Sequence, residues 1–219
     1  MFGLFVSMPA GSFYSIIATV LESFMLVACG FGWPIVAYKI HSAKTNTGTS
    51  VLHFWLTWVG YVCGIIGKIL RGGDTQILAS VFEGSMFFLS NVSLLFCIFA
   101  VLKAKKVDGK SQTFICLTAA GCAFGGVPSR ILRNGYDWVL LMYIICVLLI
   151  LYDLYLYRKY TTAIRAPKKP PIVGSSIFVV ILFAIICGSQ YTDVALIMYI
   201  VNIAVVGTTI KIWYTYNTG

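Results

Sequence analysis

Runs of about twenty apolar residues recur along this chain, near positions 14–38, 51–70, 80–102, 113–132, 137–157, 174–189 and 193–214, and they leave few folds open. At 1.5 Å per residue, about 20 helical residues cross a hydrocarbon layer of about 30 Å. Within that layer each backbone N–H and C=O must be satisfied inside its own segment, so each run is expected to be a helix. The expectation is an all-α integral membrane protein with seven transmembrane helices, of which the run 174–189 is the shortest. Composition agrees: 59% of the 219 residues are hydrophobic and 11% charged, more apolar surface than a soluble core of this size can hide. No basic residue precedes Lys39 and the first run is long, so it reads as a retained helix and not as a cleaved signal.

Lys and Arg collect in loops on the cytoplasmic side of a membrane. Here Lys39, Lys44, Lys103, Lys105, Lys106, Lys110, Arg158, Lys159, Arg165, Lys168, Lys169 and Lys211 fall on one side of the expected fold, and Lys68, Arg71, Arg130 and Arg133 on the other. The N-terminus is therefore expected outside and the C-terminus inside, as an odd helix number requires. The net charge of +9 then belongs to loops that abut anionic lipid, which makes the bilayer the partner and argues against nucleic acid. The expected location is the cell membrane, multi-pass, with a bacterial inner membrane as its setting; self-association stays open.

Seven cysteines, at 29, 63, 97, 116, 122, 146 and 187, lie in or beside apolar runs with no C-x-x-C spacing and no Cys/His cluster, so they read as small packing residues. No metal and no cofactor are expected. His41 and His53 both fall in or near the first basic loop, and no H-E-x-x-H, G-x-S-x-G or D-x-x-D constellation accompanies them, which argues against an enzyme.

Internal similarity adds an arrangement. "GTSVLHFWLTWVGYVCGIIG" (48–67) and "GSSIFVVILFAIICGSQ" (174–190) each open with Gly-x-Ser after a basic loop, and "FLSNVSLLFCIFAVLK" (88–103) and "YIVNIAVVGTTIKIW" (199–213) each place an aromatic three residues before an Asn. Helices 2 and 6, 3 and 7, and by remainder 1 and 5 then match, with helix 4 between: a 3+1+3 arrangement of two parallel triple-helix bundles. The corresponding units are 1–104, a linker helix in 105–135, and 136–219. A succession of related hairpins competes with it, because "AGCAFGGVPSRILRNG" in helix 4 echoes "VGYVCGIIGKILRGG" in helix 2.

A proline near the end of helix 1, a basic loop closing on Gly-x-Ser, a glycine-rich second helix and a mid-helix Asn resemble the PQ-loop superfamily, in particular the SWEET and SemiSWEET sugar transporters. The residues that carry the resemblance are Trp33, Pro34, Lys39, Lys44, Gly48, Ser50, Gly60, Tyr61, Gly64, Lys68, Asn91 and Asn202, most of them within the first 100 positions. The sequence departs from the pattern at Ile35, where the family has glutamine, and in lacking a proline in helix 5 and a tryptophan in helix 6. The resemblance implies a carrier of a small polar solute, such as a sugar.

Several residues are candidates for that work. Asn91 and Asn202 sit mid-helix, where an unpaired amide costs about 1–3 kcal/mol; they either bridge helices or face a cavity and bind solute hydroxyls. Trp55 and Trp58, three apart on one helix face, either stack on a solute or pack. Glu22, Glu83 and Asp153 are acids at or near membrane depth, hence functional candidates. Glu83 can meet Lys68 or Arg71 as a gate pair, Asp153 can meet Arg158 and Lys159, and Glu22 either carries a proton or snorkels outward. Pro34 removes the helical donor for the Gly30 carbonyl and is either a tolerated kink or a hinge. The stripe Gly60, Gly64, Gly67 allows close helix approach. Together these favour a carrier working by alternating access, through facilitated diffusion; the other class is a non-transporting receptor, scaffold or assembly subunit. Orientation is tested by impermeant labelling of single cysteines placed in 103–112: reaction from the inside alone is expected, and reaction from the outside contradicts the seven-helix count.

Overall fold

Helix ends follow local chemistry. Ser111 accepts the backbone N–H of Phe114 at 3.4 Å and Asp137 that of Leu140 at 2.8 Å, each satisfying a donor that the first helical turn leaves open. The computed structural model describes residues 13–70, 76–161 and 193–216. These form α1 (Phe13–Ala43), α2 (Val51–Leu70), α3 (Gln76–Ala104), α4 (Gln112–Ala120), α5 (Val127–Asn134), α6 (Trp138–Tyr160) and α7 (Asp193–Thr215), with no strand among the described residues. Residues Gly121–Gly126 join α4 to α5 as a π-helical segment. Pro128, at the start of α5, has no N–H to offer; the Val127 N–H just before it bonds to Cys122, five residues back, and the rod continues in shifted register.

Among the described residues five stretches are long and apolar enough to cross a membrane: Ile16–Ala43, Val51–Leu70, Ile77–Ala104, Gln112–Arg133 and Trp138–Tyr160. Exposed Phe88, Phe99, Leu148 and Leu151 give the outer surfaces of α3 and α6 the apolar character that lipid requires. The expected helix 174–189 lies outside the described residues.

The helices close into a ring. In order around it come α1, the α4–α5 rod, α6, α3, α2 and α7, which returns to α1. The first three helices thus do not pack as a separate triple; α2 lies along α3, whereas α1 is flanked by α4–α5 and α7. Small residues explain the choice. A Cβ at Gly125 would stand 2.6 Å from the Leu21 carbonyl, and one at Gly121 would stand 3.0 Å from Ala28 Cβ, so the two backbones meet where side chains are missing. Ser129 secures the same seam by donating to the Ala18 carbonyl at 2.8 Å. The main core follows the ring's interior, with Met25, Trp33, Phe54, Tyr61, Met86, Phe87, Tyr143 and Tyr199 buried together.

Gly125→Val forces that seam apart and is expected to cost about 1–3 kcal/mol. Gly207→Ala, whose new methyl would meet nothing nearer than Trp58 Nε1 at 3.9 Å, is expected to stay within about 0.5 kcal/mol. Thermal unfolding in detergent micelles measures both.

Candidate functional site

Inside the ring is a cavity of about 90 Å³, several times what one water needs. Each lining residue is placed by helical periodicity. Cys29 and Trp33 share a face of α1, and His53, Thr57 and Tyr61 follow at four-residue steps on α2. Trp33 is 3% exposed; its Nε1 donates to Tyr61 Oη at 2.8 Å, and its ring packs on Phe114 at a centroid distance of 4.9 Å. The polar groups gather opposite. His53 Nδ1 lies 3.1 Å from Ser93 Oγ, Thr57 Oγ1 lies 3.2 Å from that same oxygen, and Asp153 of α6 completes the wall.

One end of the cavity meets a loop. Lys110 reaches inward and donates to both carboxylate oxygens of Asp153, at 2.6 Å to Oδ2, with each side chain 5% exposed. Burial by itself pushes the Lys110 ammonium toward its neutral form, but Cys97 and Asp153 outweigh it and the pKa lies above the ordinary lysine value. Because the folded pKa is raised, the pair's stabilisation is in place below the ordinary value of about 10.4 and fades only as pH climbs past it. The loop is fastened to its neighbour: Gly109 N–H donates to the Thr47 carbonyl at 3.0 Å, and Trp213 Nε1 to Thr49 Oγ1 at 3.0 Å. Gly48 has φ +81° and a Cβ there would stand 2.5 Å from the Lys106 carbonyl, so only glycine fits between the two loops.

The opposite end carries the other ion pairs. Glu22 receives Lys68 on one oxygen and Arg133 on the other, while Arg130 spans Glu83 at 3.1 Å and Asp137, with Nε at 3.0 Å from the Asp137 Oδ2. Arg133 also donates to Thr19 Oγ1 at 3.0 Å. A small space of about 20 Å³ lies among these groups. Met86, Phe87 and Tyr199 line both this space and the larger cavity, so they form the septum between them. The septum is braced by Tyr143 against Phe87, centroids 3.8 Å apart, and by Tyr61 against Tyr199 at 6.0 Å. Gly64 leaves it room, since a Cβ there would come within 2.7 Å of Met86 Sδ and 2.8 Å of Tyr199.

The candidates named from sequence divide. Neither asparagine lines the cavity. Asn91 sits in the α3–α6 seam, where Nδ2 donates to the Met142 carbonyl at 3.1 Å, and its Oδ1 has no hydrogen-bond partner among the described residues. Asn202 is fully buried in the α1–α7 seam with Oδ1 2.8 Å from where a Gly30 Cβ would be, and neither polar atom of its side chain has a hydrogen-bond partner among the described residues. Trp55 is 44% exposed and Trp58 packs edge-on against it near Gly207, so the tryptophan at the cavity is Trp33. Pro34 is exposed on the face turned away from Trp33, and α1 runs through it unbroken.

The charged candidates are paired, with different partners. Glu83 takes Arg130, and Lys68 goes to Glu22; Arg71 lies outside the described residues. Glu22 bridges two cations, one on each carboxylate oxygen. Asp153 turns to Lys110, because Arg158 and Lys159 lie further along α6 beyond the buried turn. Sequence reasoning passed over Arg130 and Lys110 as site residues. The first had a signal: the echo of "KILRGG" in "RILRNG" puts Lys68 and Arg130 at equivalent places in two helices. Lys110 had none beyond being one of several loop lysines.

No family model matches the chain, and neither the curated proteins nor the solved structures hold a match for it. The site is therefore argued from its own geometry. Arg130→Met removes the cation that Glu83 and Asp137 share and is expected to cost about 3–5 kcal/mol in thermal unfolding. Lys68→Met leaves Glu22 with Arg133 and is expected to cost about 1–2 kcal/mol.

Proposed function

We propose that the chain is a multi-pass carrier that moves a small polar solute by alternating access, in the manner of the PQ-loop superfamily. The observation that carries this reading is a cavity inside the ring with the buried Lys110–Asp153 pair at one end and, beyond an aromatic septum, a second set of ion pairs at the other. We take these two sets as the closures of a carrier's occluded state, in which solute is held while neither side is open. An ion pair suits a closure because each partner has an alternative in water once the helices part, whereas the buried pair holds the ends together.

In this reading the bilayer is the solvent of the ring's outer surface, and the positive-inside distribution of charge orients the whole. The Lys110–Asp153 pair then closes the cytoplasmic side, and the Glu22, Lys68, Arg133, Glu83, Arg130 and Asp137 cluster closes the outer side. The seven helices move as two groups, and Pro34, together with the π-helical segment Gly121–Gly126, gives α1 and the α4–α5 rod points at which to bend. The bacterial inner membrane is the proposed location, with facilitated diffusion as the mechanism.

Uptake into proteoliposomes tests the reading, with a panel of sugars, amino acids, amines and vitamins. Flux of at least one solute is expected, with Trp33→Ala and Phe114→Ala lowering it about tenfold or more and Trp55→Ala leaving it within about twofold. A chain that folds and moves no member of the panel supports the receptor or scaffold class.

A further inference from the structure

We propose that Asp153 is the recognition point for a primary ammonium group on the solute, and that Lys110 is a tethered stand-in for that group while the site is closed. The inference rests on the carrier reading and names its substrate class: a compact, largely apolar body bearing one amine.

The cavity's own chemistry selects against a polyol. A sugar needs many free donors and acceptors, but three hydroxyl protons here are committed: Thr57 Oγ1 donates to the His53 carbonyl at 2.7 Å, Ser93 Oγ to the Ser90 carbonyl at 2.7 Å and Thr118 Oγ1 to the Phe114 carbonyl at 2.9 Å. Apart from His53, Tyr61, Ser90 and Tyr199, the wall is largely aromatic, aliphatic and sulfur-bearing, with Trp33, Phe114, Phe87, Met86 and Met25. Such a wall takes an apolar body, and aromatic faces also tolerate a nearby cation.

Among the residues that line the cavity, Asp153 is the single carboxylate. A carboxylate buried at this depth must keep a cation beside it. At rest that cation is Lys110, and Lys110 differs from its partner in one respect: Asp153 is fixed on α6, whereas Lys110 sits on the short loop between α3 and α4. A solute ammonium entering the cavity offers Asp153 the same charge and the same donors. Lys110 can then leave for water, and the loop loses that anchor, keeping the Gly109–Thr47 hydrogen bond to its neighbour. Without solute the exchange has no substitute cation, so the loop stays down. Opening at this end is thereby tied to occupancy.

Ligand-observed NMR on the purified full chain in micelles tests this, with benzylamine against benzyl alcohol, its neutral counterpart. Wild type is expected to bind the amine about tenfold or more tightly than the alcohol, and Asp153→Asn to lose that preference. Lys110→Met removes the internal competitor and is expected to bind benzylamine about tenfold more tightly than wild type, whereas Lys110→Arg stays near wild type. Equal binding of the two probes by wild type, a preference that survives in Asp153→Asn, or weaker amine binding in a folded Lys110→Met overturns the proposal. If Lys110→Met does not fold, the comparison of wild type with Asp153→Asn decides alone. Flux of neutral solutes with no amine preference would sink this inference and leave the carrier standing; amine binding without any flux would do the reverse.

Discussion

A charge taken into an apolar interior survives only beside its opposite, and this bundle places its buried charges at its two ends. Lys110 and Asp153 meet at one end, and Glu22, Lys68, Arg133, Glu83, Arg130 and Asp137 at the other. Most of these pairs tie together elements that are distant in the chain: Glu22 joins α1 to α2 and α5, and Arg130 joins α5 to α3 as well as to the start of the next helix, α6. Hydrophobic burial between helices contributes little to association in lipid, because lipid tails are as apolar as the side chains. Ion pairs and close backbone packing are what remain to hold the ring.

Close packing is supplied by glycine where two rods must touch. Gly121 and Gly125 bring the α4–α5 rod against α1, and Gly64 makes room for the septum of Met86 and Tyr199. The π-helical segment falls between the first of these contacts and the cavity, so that Cys122 lines the space while its glycine neighbours face α1. The result is a ring in which α2 and the α4–α5 rod, whose sequences echo each other, take opposite places.

Helix positions were legible from hydropathy, because in lipid an apolar run has no other way to satisfy its backbone. The runs at 51–70, 113–132 and 193–214 recur almost unchanged as helices. Helix neighbours were not legible. Every apolar helix resembles every other by composition, and the pairing of α1 with α4–α5 depends on glycines whose facing direction a sequence does not give. Site residues divide for the same reason. Glu22, Lys68, Glu83 and Asp153 were visible because charge at membrane depth demands a partner, but which partner depends on the ring order. Asn91 and Asn202 were equally visible as polar mid-helix residues, yet both occupy helix seams, and periodicity alone does not say whether a polar side chain turns to a cavity or to a neighbour.

The central proposal is that the two sets of ion pairs act as the closures of the cavity toward the two sides. It is tested by labelling Cys146, kept as the sole cysteine, with a small impermeant thiol reagent applied separately to each side of oriented proteoliposomes. Cys146 lines the cavity and is buried. The account predicts slow labelling from either side, speeded from the cytoplasmic side alone by Lys110→Ala and from the outer side alone by Arg130→Ala. Fast labelling of the parent from both sides, or the same acceleration from both sides in either variant, would contradict it.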